Sequence, residues 1–415
     1  KPANSMVRWY ASALSGKYFQ QHAPVRRQTV PVGHSVRFAY LETAVTMLAL
    51  ASGDRSLLPA LESAWERMVT RRMYITGGTG SLPGTEGYGN DYELDPEFAY
   101  AETCASLASL FWNWQMVQLT GEAKYTDLFE WQLYNAAGVG MGFDGRSYLY
   151  NNPLTCHGGV ERKPWYAVPC CPSNISRTWA DLGRYIATSQ DKSIRIHQFI
   201  SSQLSASITA AGGEAAHASL AMEADLPWEG RVRIKVTDIE TAQREQPLPF
   251  LLEFRQPAWV NEMPVTVNGE PVMMPATPAG IQPVGYDPRP ASYRTISRSW
   301  AIGDQVEITF PVKIVLRRAH PRVKAHEGKV AVTRGPLVYC LESVDNPGVD
   351  LFTEKLDLES LAATFDSELL GGMVRITAKT TSGKPLTLIP YFAWGNRGPS
   401  QMTVWVNIGS GQPGE

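Results

Sequence analysis

Apolar residues recur at helical spacing through the first half of the chain and at alternate positions through the second. After Gly33-His34, residues Phe38, Leu41, Val45 and Leu48 fall on one stripe that stops at Gly53, as an amphipathic helix with a glycine end would. Leu61, Ala64, Trp65 and Met68 predict a second helix. Leu107, Leu110, Phe111, Trp114 and Val117 predict a third, ending near Gly121. Leu128, Phe129 and Gln132 fit a fourth, and Ile175, Trp179, Leu182 and Ile186 a fifth. A short helix near Met6, Trp9 and Tyr10 completes the series. Two glycine-rich connections, 76–96 and 138–172, separate these elements. Connections that long inside a compact domain more often carry function than not.

From about Asp191 the period changes from helical to two. Residues 193–200, 231–237, 305–310, 329–333 and 402–407 alternate as half-buried strands do. Residues 265–272 carry Asn268-Gly269 between short β segments, a strong hairpin pattern. A proline-rich stretch from Gln282 to Pro290 reads as a loop, and no internal repeat of fixed period is present. The division expected is a helical unit over 1–191 and one or two antiparallel β-sandwich units over 192–415. About six helices make either a small bundle packed on sheet or half of a ring of helix pairs.

Composition narrows the classes. At roughly 150 residues per domain, 415 residues suggest two or three domains. With 38 Lys+Arg against 40 Asp+Glu, the net charge of -2 excludes a strongly basic nucleic-acid binder and a polybasic membrane-surface protein. No apolar run approaches the roughly 18 residues that a membrane helix needs. The chain opens at Lys1 with no signal-peptide pattern, consistent with a processed protein or one that begins inside a larger one. Five cysteines are too few for a disulfide scaffold, but two of them are adjacent, Cys170-Cys171.

Pro172 suits a first helical position, which predicts Cys171 as the N-cap. Both thiols then lie at the positive end of a helix, which favours the thiolate, the form that attacks carbon or binds metal. The alternative is a pair of buried small residues or a vicinal disulfide. Glu102 and Cys104 lie two apart where the third helix begins, and can share a ligand only where the chain enters that helix. One carboxylate, one thiolate and two more thiolates from a distant loop make a mixed tetrahedron suited to zinc. The spacing is not that of a zinc finger, and a capping carboxylate beside a core cysteine fits it too. Glu86, within Gly84-Thr85-Glu86-Gly87-Tyr88-Gly89, sits on a loop that allows close approach of a substrate, as a general acid requires. Its alternative is a solvated loop glutamate. His34 is a ligand donor or a helix-end histidine. Glu130 and Tyr150 are candidate sugar-hydroxyl partners or ordinary core and surface residues. The tryptophans beside the helical stripes, such as Trp112 and Trp131, are expected mostly in the core. There is no Walker A loop, HExxH or EF-hand pattern, and Gly77-Gly78-Thr79-Gly80 lacks the strand-to-helix setting of a dinucleotide site.

Taken together, Val32-Gly33-His34-Ser35-Val36-Arg37, Thr76-Gly77-Gly78, Gly84-Thr85-Glu86-Gly87-Tyr88, Ala99-Tyr100-Ala101-Glu102-Thr103-Cys104 and Cys170-Cys171-Pro172-Ser173-Asn174 resemble glycoside hydrolase family 127, the β-L-arabinofuranosidase family. The β half is similar to it as well, at 256–260, 334–339 and 389–399. The resemblance implies a retaining glycosidase with a zinc-bound cysteine nucleophile. By motif, Cys170 is the nucleophile and Glu86 the acid/base. Glu102, Cys104, Cys170 and Cys171 hold the zinc, and His34, Glu130 and Tyr150 contact the sugar. It implies an (α/α)6 barrel followed by antiparallel β-sandwiches, with this chain starting about halfway through the barrel. The expected partner is an oligosaccharide or glycoconjugate bearing β-L-arabinofuranose or a related plant-derived pentose. Family likeness and β edges admit a homodimer, and thiolate chemistry favours a reducing, cytoplasmic setting. Cys156 and Cys340 are expected to be structural. Two other readings are a non-catalytic, zinc-stabilised carbohydrate-binding protein and a polysaccharide lyase with a Tyr/His base.

Overall fold

The computed structural model describes residues 16–209, 213–241, 247–273 and 291–409. The short helix expected near Met6, Trp9 and Tyr10 and the proline-rich loop at 282–290 lie outside the described residues. Among the described residues five α-helices lie where the stripes predict them, α1 Ser35–Ser52, α2 Leu58–Arg71, α3 Thr103–Thr120, α4 Ala123–Gln132 and α5 Cys170–Ala180, but Leu48 of the α1 stripe is exposed and not buried. Gly53 and Gly121 end α1 and α3 with φ of 70° and 74°, backbone that a side chain would strain. α1 packs along α3, and Phe38, Leu61, Met68, Trp112 and Leu128 form the buried contact among them. No helix among the described residues is long and apolar enough to cross a membrane.

The fifth helix differs from its sequence reading at both ends. It begins at Cys170 with Pro169 as its cap, so Cys171 is the second helical residue and not the N-cap. Pro172 falls at the third position, where the chain still needs no intrahelical donor. The helix stops at Ala180; Leu182 lies in a 3-10 turn, Leu182–Tyr185, and Ile186 precedes the first strand of the sandwich. Both still contact apolar cores, because a tighter turn also returns side chains to one face.

A four-stranded sheet runs in the order 292–300, 248–256, 193–196, 187–190, and a six-stranded sheet in the order 202–209, 215–224, 231–241, 305–309, 265–267, 270–271. Their inner faces share one core, including Ile196, Leu220, Ile234, Phe254 and Trp300. The Asn268-Gly269 turn has φ of 52° and 85°, and Thr266 pairs with Pro271 across it, as a two-residue hairpin requires. A third, ten-stranded sheet is built from the rest of the chain. The expected antiparallel order is broken twice: 193–196 runs parallel to 248–256, and 355–356 runs parallel to 405–408. The predicted strand at 402–407 is interrupted at Val404, splitting into 402–403 and 405–408.

Helices and sandwich are joined by buried charge. Arg255, fully buried on strand 248–256, donates to Asp127 and Glu130 of α4 and, at 2.9 Å, to the carbonyl of His197. Trp259 Nε1 takes the second oxygen of Glu130 at 2.9 Å. The third sheet is tied to the loop after α4 by Arg162, which donates to the carbonyls of Val139 at 2.8 Å and Trp394 at 3.0 Å. Replacing Arg255 with Met should cost about 3–5 kcal/mol, because two carboxylates stay buried without their cation. Urea unfolding reads this directly, and an unchanged midpoint would contradict the clamp.

Candidate active site and metal centre

An open pocket of about 640 Å³ lies over the starts of α1, α3 and α5. Its floor is Glu102, Cys104 and Cys170, with Cys171 directly beneath, and the ligand atoms of these four residues all lie within 4.8 Å of one another. Glu102 and Cys104 converge because the chain enters α3 between them: Glu102 is the N-cap, with extended ψ of 136°. Cys170 and Cys171 are the first residues of α5. Glu102 Oε1 lies 3.7 Å from Cys170 Sγ and 3.6 Å from Cys171 Sγ. The two sulfurs are 4.0 Å apart and not bonded, which disposes of the vicinal disulfide. The loop carrying Tyr150 is stitched to the same corner: Thr103 N donates to the Tyr150 carbonyl at 2.9 Å, and Asn152 Nδ2 to the Ala101 carbonyl at 2.9 Å.

The electrostatics of this floor are unsatisfied by protein alone. Glu102 is 1% exposed, and its Oε2 has no hydrogen-bond partner. Burial, with the negative charges of Glu86 and Cys170, pushes its carboxyl up to about 8. Hydrogen bonds from Cys104 and Cys171 draw the Cys170 thiol down to about 2. Cys104 is pushed up chiefly by its bond to Cys170, and Cys171 by burial. One negative charge therefore settles on Cys170, and the others are resisted until a cation compensates them. An orphaned carboxylate oxygen among three thiols is a donor set that fits a thiophilic divalent metal such as zinc.

Glu86 forms the pocket wall. Its own backbone is left-handed, with φ of 51°. Its carbonyl accepts from Ser35 N and Oγ at 3.0 and 2.8 Å. Gly87 is required here, since a Cβ would lie 2.5 Å from the Gly33 carbonyl oxygen. Glu86 Oε2 meets His34 Nε2 at 3.0 Å, and Oε1 accepts from Tyr100 OH at 2.8 Å. His34 Nδ1 accepts from Val36 N at 3.2 Å as the cap of α1, so Nε2 carries the proton and donates. That excludes His34 as a metal ligand, although it lies with Glu86 and Glu102 at ligand spacing. The His34 bond lowers the Glu86 carboxyl against the opposing effect of burial, and the negative Cys170 raises it. Tyr150 OH lies 2.9 Å from Cys170 Sγ.

The pocket thus gathers His34, Glu86, Glu102, Cys104, Tyr150 and Cys170, with Cys171 packed beneath. Glu130 is not among them: both its oxygens are taken by Arg255 and Trp259, and the residue is 2% exposed. Cys156 and Cys340 lie apart, in the core beside the third sheet. No tryptophan lines the pocket. Tyr18, Arg37, Tyr40, Tyr100, Asn174 and Arg177 reach the site or its ligands and were missed in the sequence. Helical spacing held part of the answer, since Arg37 and Tyr40 follow His34 by three and six residues and Asn174 follows Cys170 by four.

Helices bearing a thiol–carboxylate pocket are followed by several β sheets. Three domain profiles match the chain in order: the beta-L-arabinofuranosidase GH127 catalytic domain over 3–184, the GH127 middle domain over 193–312 and the family 127 C-terminal domain over 314–407. The chain belongs to glycoside hydrolase family 127. It is 33% identical to a non-reducing end beta-L-arabinofuranosidase of Bifidobacterium longum subsp. longum, over 94% of this chain and 61% of that protein. A crystal structure of a GH127 beta-L-arabinofuranosidase from Geobacillus stearothermophilus T6 superposes with a TM-score of 0.83 at 37% identity, covering 95% of this chain and 63% of that one. A second GH127 beta-arabinofuranosidase structure gives 0.82 at 33% identity, with the same coverages. The chain thus spans about three fifths of the length of these relatives.

In metal-free protein, iodoacetamide should label Cys170 first. A lowered pKa keeps the thiolate above it, so the rate should stay flat down to about pH 5, where an ordinary thiol has slowed tenfold per unit below about 8.5. Peptide mass spectrometry assigns the site; Cys104 or Cys171 labelling first would contradict the charge distribution.

Proposed function

We propose that the chain is a retaining glycoside hydrolase that releases β-L-arabinofuranose, or a related plant-derived pentose, from an oligosaccharide or glycoconjugate. The observation that carries this reading is the meeting of a thiolate-forming Cys170 and the ionisable Glu86 on one pocket, in a chain of family 127. Residues 1–191 are taken as part of an (α/α)6 catalytic unit and 192–415 as β-sandwich units. A reducing, cytoplasmic setting suits the thiolate, and a homodimer remains compatible with the exposed β edges.

Glu102, Cys104, Cys170 and Cys171 would hold zinc, which supplies the positive charge that keeps the thiols ionised at neutral pH. Cys170 Sγ attacks the anomeric carbon as the glycosidic C–O bond breaks, and Glu86 passes its proton to the leaving oxygen. The resulting thioglycoside on Cys170 is then cleaved by water, whose proton returns to Glu86 as the thiolate departs. Charge on Cys170 bears on both roles of Glu86. The His34 bond holds the Glu86 carboxyl below its ordinary value, and a negative Cys170 opposes that fall before attack. Once the sulfur is glycosylated that charge is gone, and the His34 bond favours the base. Tyr150 holds the sulfur through its 2.9 Å bond, and His34 and Tyr100 hold the two oxygens of Glu86.

With an aryl β-L-arabinofuranoside as substrate, Cys170→Ala should lose at least about a thousandfold in kcat, as removal of a nucleophile does. Glu86→Gln should lose about 10²–10⁴-fold. Unchanged rates would remove the mechanism. Zinc binding without hydrolysis of any furanoside would favour the carbohydrate-binding reading, and an unsaturated product absorbing in the ultraviolet would favour the lyase.

A further inference from the structure

The metal-binding cluster has an outer partner on one of its sulfurs. Asn174 Nδ2 lies 3.5 Å from Cys104 Sγ. Its Oδ1 accepts from Arg177 Nε at 2.7 Å and from Tyr40 OH at 3.3 Å, and Arg177 Nη2 donates to Tyr40 OH at 3.0 Å. A guanidinium has no acceptor, so the oxygen of the Asn174 amide must face Arg177. The amide N–H₂ is thereby left facing Cys104, and the flip of the side chain is decided chemically. Asn174 is 7% exposed and follows Cys171 by three residues, so the helix that presents two thiols also places this amide against the third.

We propose that Asn174, locked by Arg177 and Tyr40, is a positioning residue for the metal centre that donates an N–H bond to the Cys104 thiolate. This rests on the reading that Glu102 and the three thiols hold a divalent cation. Three thiolates and a carboxylate around such a cation leave the cluster net negative. An amide N–H polarised by Arg177 draws part of that charge off the sulfur, and such outer partners orient a ligand and raise metal affinity by about 10–100-fold. The bond also separates the roles of the sulfurs. Cys104 is held as a fixed ligand by an amide behind it, whereas Cys170 meets only the hydroxyl of Tyr150 from outside the cluster.

The test is zinc affinity, measured on the whole chain by competition with a chromophoric chelator. Asn174→Asp is the informative variant, because it keeps the size and the Arg177 contact while replacing the donor with an acceptor. Zinc affinity should fall by about 10–100-fold, with the metal-free melting temperature unchanged or raised by the new ion pair. Equal affinity in wild type and Asn174→Asp overturns the proposal, since a merely structural asparagine would tolerate the exchange. Should that variant fail to fold, Arg177→Leu, which frees the amide to flip, must weaken zinc binding several-fold, and an unaltered affinity there counts against the proposal equally. A wild-type chain that binds no zinc would instead sink the metal reading itself.

Discussion

The chain buries more negative charge at one corner than its own residues can neutralise. Glu102 and three cysteines converge where α3 and α5 begin, and no lysine or arginine donates to them among the described residues. Hydrogen bonds from Cys104 and Cys171 settle one thiolate on Cys170, and burial and mutual repulsion resist ionisation of the rest. Cys170, Glu86 and the Asn174 amide behind Cys104 all border this imbalance. Glu86 is tuned by the charge on Cys170 on one side and by the proton of His34 on the other. A pocket built this way needs its distances held closely, because charge effects of this size change over an ångström or two.

That rigidity comes from outside the pocket. The loop bearing Tyr150 is stitched to the entry of α3 and then pinned to the third sheet through Arg162. α4 is bolted to the sandwich by the Arg255 clamp. The β sheets therefore take part in the site without contributing a residue to its floor. Buried ion pairs of this kind gain little net stability over apolar packing, but they have one geometry, and their loss leaves bare charge behind. They act as keys that set how the helical part sits on the sheets.

Much of the architecture was legible along the chain. The stripes of α1 to α4 are legible because each helix must bury a face of its own, and the glycine stops of α1 and α3 because they too are local. The start of α5 was misplaced because proline is accepted anywhere in a first turn. The two parallel strand pairs were not readable, since alternation says which face is buried and nothing about the neighbour's direction. Glu130 shows the same limit at the site. An acidic residue beside an apolar stripe looks identical whether its oxygens meet a sugar or an arginine 125 residues away. Tyr100, Asn174 and Arg177 lay inside or next to the recognised motifs, yet nothing local distinguishes an outer partner from a neighbour.

By itself the sequence determined the succession of helices and strands, the stock of thiols and carboxylates, and the family. Only the tertiary structure decided which of those groups meet, which nitrogen of His34 keeps its proton, which way the Asn174 amide points and which sulfur holds the charge. The reason is one of range. Periodicity records a segment's burial against whatever covers it. Protonation and ligation depend on distances of 3–4 Å between groups such as Glu102 and Cys170, 68 residues apart, and those distances exist only once separate elements have packed.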